Sequence, residues 1–178
     1  MRLLLSDVEL MKLPVKAISE IIEEGIFKVS SKNGLEFVAA DRAMICMVEF
    51  KLLPTAFDEF EVKNDLSLGL NIETLSDILR RATKKDKLVL EFKENRLITT
   101  LEGKVRRSFE LPLLDITEES LPDISQLEFS SKIALATDAL VEAAADVDLV
   151  AESIVFEADE NKLSIYGAGD ISLSLIHI

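Results

Sequence analysis

The hydrophobic pattern is clearest between Asn71 and Glu102, where its period changes within one stretch. Ile72, Leu75, Ile78, Leu79 and Ala82 recur at the i, i+3, i+4, i+7 spacing of a helix that buries one face. Arg80, Arg81, Lys84 and Lys85 then load the helix end with positive charge. Leu88, Val89, Leu90 and Phe92 predict a buried strand, Glu94-Asn95 a tight turn, and Leu97 to Leu101 the returning strand. The same order of helix, apolar strand and turn occurs three times, anchored on Asn33-Gly34-Leu35, Asn95-Arg96-Leu97 and Asn161-Lys162-Leu163. Asparagine suits such turns because it tolerates left-handed backbone and bonds to its own main chain. Coincidence among common hairpin residues is the alternative, but it does not account for the repeated order. The pattern predicts an α+β fold built from repeated helix-plus-strands units.

In the first unit a helix is expected within residues 7–24. Met11, Val15, Ile18 and Ile22 form its buried stripe with Ile21 beside them, and Lys12, Lys16, Ser19, Glu20 and Glu23 take the other side. Pro14 fits only a first turn, which puts the regular start near Leu13, and Gly25 ends the helix. Strands are expected at Ile26–Ser30, Leu35–Ala40 and Met44–Phe50, with Phe57 and Phe60 plugging the core end from the loop that follows. Ser67–Leu70 leads into the second unit, and Arg106–Leu111 follows its hairpin as a further strand.

Residues Leu111 to Phe129 hold two prolines, several acids and apolar residues without a period, which predicts an extended connector. In the third unit Asp138 is the expected N-cap, and Leu140, Val141, Ala144, Val147 and Val150 the buried face. Ile154–Phe156 is the expected strand and Leu163–Tyr166 its return. No Lys or Arg occurs from Ile133 to Asn161, so the exposed side of this helix, with Asp138, Glu142, Asp146 and Asp148, is purely acidic. Two units pair into one closed domain; the third is left without a mate, and a truncated chain is the expectation. The ending, Leu173 to Ile178, is what ctgtctcttatacacatc, the end of a widely used sequencing transposon adaptor, would encode in frame. An apolar edge strand is the alternative. On the adaptor reading His177, the single histidine, carries no function.

With 178 residues the chain is one large or two small domains, and 48% apolar with 30% charged residues is a globular composition. No apolar run reaches the ~18 residues of a membrane span, and the start MRLLLSDVEL lacks the features of a signal peptide. The single cysteine, Cys46, excludes an internal disulfide and fits a reducing interior. Its neighbours Met44, Ile45, Met47 and Val48 predict a packed strand thiol rather than a reactive one. A net charge of −13 argues against casual adhesion to nucleic acid or an anionic membrane. Any DNA contact therefore needs a local concentration of Lys and Arg.

Taken in order, Ala17–Asp41, Leu68–Leu90, Arg106–Asp115 and Ala139–Asp170 resemble the archaeal and eukaryotic sliding clamp, proliferating cell nuclear antigen. The likeness covers almost all of the chain before residue 173 and is nearest the archaeal form. It implies a DNA-clamp fold of two similar domains: an N-terminal clamp domain over 1–113, an interdomain connector over 114–128 and a partial C-terminal clamp domain over 129–172. Residues 173–178 are then the adaptor-derived tail. Subunits of the family form a head-to-tail trimeric ring whose helices line a hole threaded by double-stranded DNA, without sequence readout. The resemblance implies a processivity factor that tethers DNA polymerase, clamp loader, flap nuclease and ligase through client peptides. No catalytic residue, cofactor, metal or membrane contact is implied. The implied location is the archaeal cytoplasm, at the nucleoid, or the nucleus of a eukaryote.

On the matched helices the resemblance directs Lys12, Lys16 and Arg80 towards DNA, with Arg81, Lys84 and Lys85 close by; a solvated helix face is the alternative. The client-peptide pocket carries over to Ala40, Met44, Ile45 and Met47, with Leu121 and Pro122 from the connector. Plain strand packing is the alternative for Met44 and Met47. The subunit interface carries over to Arg107, Ser108, Phe109, Glu110, Leu111 and Leu113, an edge strand that pairs with a neighbour's strand beginning near Ile171. Parts of the pocket and of the receiving strand are expected to be missing, so this chain alone is not expected to close a ring.

Asp77 stands where many relatives have Lys, and Glu142 and Ala145 where relatives often present basic residues. DNA contact then leans on the first domain, or the chain joins a heterotrimer with more basic partners. Two rival classes are a metal enzyme using Glu142, Asp146, Asp148 and Glu152, and a clamp-like scaffold that does not encircle DNA. Residues at i, i+2 on a helix point apart, and no histidine or glycine-rich phosphate loop supports the enzyme.

Overall fold

Two modules, each a strand, a helix and three further strands, account for the first 117 residues. The computed structural model describes residues 1–117, 128–159, 162–168 and 173–177, the last five and residue 168 by backbone alone. The first module is β1 (Arg2–Leu5), α1 (Glu9–Ser19), β2 (Glu24–Ser30), β3 (Gly34–Ala40) and β4 (Met47–Leu52). The second is β6 (Leu66–Asn71), α2 (Ile72–Arg80), β7 (Lys87–Lys93), β8 (Arg96–Glu102) and β9 (Arg106–Pro112), with the short β5 (Glu59–Glu61) between them. Each module gives its first strand to the other's sheet. The orders are β5-β1-β7-β8-β9 and β4-β3-β2-β6, with every neighbour antiparallel.

That exchange makes one continuous core. Leu3 and Leu5 of β1, Met11 and Val15 of α1, Phe27 and Phe37 of β2 and β3, and Leu75 and Leu79 of α2 are all buried in a single cluster. Ile72, Leu75, Leu79 and Ala82 are buried as their spacing predicts, while Ile78 is half-buried. Glu94 and Asn95 both take positive φ, 49° and 59°, and close the β7–β8 hairpin as expected. Phe57 is buried, its ring centre 5.0 Å from that of Phe60, and the plug they form is tied in by β5 pairing with β1.

Three expectations for the first unit are corrected. Pro14 lies in the interior of α1, not in its first turn, because the helix is already running when Lys12 N–H donates to Val8 O at 2.9 Å. A helix-interior proline costs about 3 kcal/mol relative to alanine. Burying Val8, Met11, Val15 and Ile18 at roughly 1.5–3 kcal/mol each outweighs it. Gly25 is not a helix cap but the second residue of β2. A Cβ there would lie 2.5 Å from Cε2 of the fully buried Phe37, so glycine is required for packing. Finally, β4 starts at Met47, and the half-buried thiol of Cys46 lies in the preceding loop rather than in a strand.

The chain divides into compact units over 1–122 and 123–178. In the second, α3 (Thr137–Asp148) packs on β11 (Lys162–Ala168), which is flanked by β10 (Val155–Asp159) and β12 (Leu173–His177). The N-cap is Ala136 rather than Asp138. The buried face is Ala143 and Val147, with Leu140 and Ala151 partly covered, whereas Val141 and Ala144 are exposed. Val155 and Phe156 lie in β10, which starts one residue later than the expected Ile154, and are 41% and 52% exposed. Only one helix covers this sheet among the described residues, so the buried stripe is narrower than the apolar pattern. No helix among the described residues is long and apolar enough to cross a membrane.

Replacing Gly25 by alanine should lower the unfolding free energy by about 1–3 kcal/mol in a urea titration, the range for overpacking a filled core. An unchanged midpoint would show that Phe37 yields freely.

Candidate nucleic-acid interface

The cations singled out by the sequence converge on one pair of helices and the turn that follows it. Asn71 caps α2 by accepting the Thr74 N–H at 2.7 Å, so β6 runs straight into the helix. Lys12 Nζ, in the early part of α1, donates to Ala82 O just past the end of α2 at 2.9 Å. Ser19 Oγ, at the far end of α1, donates to Ser76 Oγ in the middle of α2 at 3.2 Å. The two helices are therefore antiparallel neighbours. Each turns one face to the core, which leaves Lys16, Asp77, Arg80 and Arg81 exposed.

These cations are not equivalent. Lys12 is only 26% exposed and is also 3.5 Å from Glu9, so its ammonium works as a tie to the negative end of α2. Arg80 is 76% exposed and pairs with Asp77 at 3.0 Å, one turn back, which tempers its charge. Lys16, Arg81, Lys84 and Lys85 are exposed and have no carboxylate within 4 Å among the described residues.

The turn that carries Lys84 and Lys85 is locked from below. Asp86 is buried and accepts the Thr83 N–H at 3.0 Å and Arg107 Nη2 at 2.7 Å. Arg107 Nη1 reaches the carbonyl of Arg81 at 3.0 Å. Sequence reasoning missed this lock, whose sole trace is one strand arginine in an alternating run. It also alters the reading of β9. That strand is an edge of its sheet, but Arg107 turns inward, Leu111 is in the core, and Phe109 and Leu113 are partly buried against it. Ser108 and Glu110 are the residues of the expected interface whose side chains are exposed.

Four of the expected pocket residues gather at the β3–β4 loop. Ala40 and Met47 stand opposite each other at its base. Met44, at φ 55°, is 50% exposed and Ile45 is 86% exposed. Leu121 and Pro122 lie outside the described residues. Asp41 organises the loop: Oδ1 accepts the N–H of Ile45 and of Cys46, each at 2.8 Å, while Asp41 N–H donates to Cys46 O at 2.9 Å. The Cys46 N–H, followed by other loop amides, holds the Asp41 carboxyl below the usual aspartate range.

A helix pair over antiparallel sheets that exchange their first strands, with cations at the exposed helix ends, defines the DNA-clamp class of fold. Residues 1–119 match the family model described as proliferating cell nuclear antigen, N-terminal domain, and the chain belongs to that family. It is 35% identical over 153 residues to a DNA polymerase sliding clamp of Thermococcus fumicolans, covering 85% of this chain and 61% of the relative. It is 32% identical over 157 residues to that of Pyrococcus abyssi, covering 88% of this chain and 62% of the relative. The chain thus spans about three fifths of the length of these curated relatives. Among solved structures it is similar to the complex of PCNA2 and PCNA3 from Sulfolobus tokodaii, with a TM-score of 0.89 and 27% identity over 100% of this chain and 72% of that one. A clamp from Thermococcus kodakaraensis, 22% identical at a TM-score of 0.82 over 99% of this chain and 72% of that one, shares the fold.

The depressed Asp41 carboxyl fixes the sign of a pH effect. Its ionised form is the one the loop binds, so its contribution is complete above the ordinary aspartate range and is lost as pH falls through the lower, folded-state value. Amide protection at Ile45 and Cys46, relative to an unstructured peptide, should drop over that interval while protection in β2 and β7 persists. Constant protection at Ile45 would contradict the assignment.

Proposed function

We propose that the chain is part of a DNA sliding clamp, a ring-shaped processivity factor that encircles duplex DNA and holds a polymerase to it. The observation that carries this reading is the group of exposed cations at the antiparallel helix pair, in a protein of net charge −13. Lys16, Arg80 and Arg81 meet phosphate, with Lys84 and Lys85 beside them, and Lys12 keeps the helices in register. Contacts of this kind position the duplex without reading it. They are also weak and screened by salt, which suits sliding, because bonds to base edges would trap the ring. Residence comes from topology rather than affinity.

Client peptides dock on the outer side, at Ala40, Met44, Ile45 and Met47 with Leu121 and Pro122. Methionine suits such a site because its thioether adapts to different partners. Polymerase, clamp loader, flap nuclease and ligase are the expected clients, and the assembly is a trimer joined along β9, through the main chain of 107–113 with Ser108 and Glu110. The factor is not itself an enzyme. The unit boundaries follow the same reading, with residues 114–128 connecting two clamp domains. A heterotrimer is the second form of this proposal. The acidic exposed side of α3, with Glu142, Asp146 and Asp148, favours it because such a surface repels phosphate and leaves the contact to other subunits. The similar Sulfolobus structure is itself a complex of two different clamp chains.

In the complete gene product, Lys16→Glu with Arg81→Glu should shorten polymerase run length on primed circular DNA at least tenfold while leaving the circular dichroism spectrum unchanged. An undiminished run length would remove the helix pair from DNA contact.

A further inference from the structure

The clamp reading sets Lys84 and Lys85 beside the phosphate-facing cations but gives the tip of the β8–β9 hairpin no role. That tip lies against the turn over residues 83–86. A Cβ at Gly103 would collide with Asp86 Oδ1, so the hairpin main chain passes in contact with that carboxylate. Arg107, at the start of β9, completes the joint by bonding Asp86 and the Arg81 carbonyl. The one carboxylate inside the cluster is therefore buried and internally bonded. What the joint presents to water is cationic. Lys84 and Lys85 project from the turn and Lys104 from the hairpin tip, all exposed and without a carboxylate within 4 Å among the described residues. Arg106, next along, is 3.4 Å from Glu102 and so is partly neutralised.

We propose that Lys84, Lys85 and Lys104 form a second contact for the phosphate backbone of duplex DNA, continuing the Arg80–Arg81 track from the helix end onto the hairpin tip. The proposal rests on the clamp reading and adds to it a residue, Lys104, and a rigid base, the Asp86–Arg107 joint. The chemistry favours phosphate over a peptide carboxylate. Three flexible ammonium groups provide mobile point charges and no fixed fork, which suits a ligand that shifts continuously along its own axis. A bound peptide would need an apolar anchor pocket, and Val105, the one large apolar residue at the tip, is 66% exposed on a convex turn. Two contact zones on one rigid unit fix the tilt of a duplex relative to the helices, which a single zone does not. Each contact remains a screened ion pair, so sliding is preserved.

The test is a titration of a short fluorescent duplex with the chain over a series of salt concentrations, beginning at low ionic strength. Wild type is compared with Lys84→Ala/Lys104→Ala and with the helix variant Lys16→Ala/Arg81→Ala. Each lost phosphate contact lowers the slope of log K against log salt by about 0.9, so the first variant should lose about 1.8 with its fold unchanged. An unchanged slope in that variant, with a reduced slope in the helix variant, overturns the second contact and leaves the clamp reading standing. Unchanged slopes in both overturn the two together. Loss of poly-glutamate binding with no change towards the duplex would assign the cluster to acidic peptides and overturn it as well.

Discussion

The reciprocal exchange of β1 and β6 is the constraint on which the rest of the first unit depends. Each strand is followed by a helix, β6 without a break and β1 after a short turn, and each completes the sheet of the other module. Neither module can close its core without its mate. The helices that follow the exchanged strands are brought side by side, antiparallel, over one hydrophobic cluster. One-sided burial then does the sorting: apolar stripes turn inward, and cations distant in sequence share the exposed ends. The placement of charge is a by-product of burying leucine, isoleucine and phenylalanine, the dominant favourable contribution to folding.

Charge placement matters more here than charge total. A strongly acidic protein repels polyanions at long range, so any contact it makes with DNA must be local and short-lived. The observed cations grade accordingly. Lys12 is committed to the neighbouring helix, Arg80 is tempered by Asp77, and Lys16 and Arg81 are open to solvent. On the proposed function this gradation corresponds to weak adhesion. A factor that slides needs adhesion of that kind, since strong contacts raise the barrier between successive positions.

Much of this was legible in the sequence, and the failures share a cause. Helix α2, its buried stripe and the Glu94-Asn95 turn follow from period and turn chemistry alone, because each is decided by neighbours within a few residues. Strand β1 went unseen because four residues carry no period, and it exists through its pairing with β5 and β7. Pro14 and Gly25 were misplaced for the same reason: local preference put one at a helix start and the other at a helix end, and tertiary packing overruled both. The buried face of α3 was drawn too wide because apolar spacing reports what could be covered, not what covers it. At the candidate site the cluster Arg80, Arg81, Lys84 and Lys85 was legible from spacing, whereas Lys12 and Lys16 were singled out only through the family resemblance. The Asp86–Arg107 joint and the Asp41 loop were not, since both depend on residues brought together by the turn geometry.

The central claim is that these modules belong to a closed ring held on DNA by topology rather than by affinity. The most direct measurement is retention of the complete, loaded assembly on DNA during gel filtration, before and after the circle is cut. The account predicts that the protein stays with a closed circle and is lost once the same molecule is linearised. Equal retention on circular and linear DNA would show binding by surface contact and contradict it.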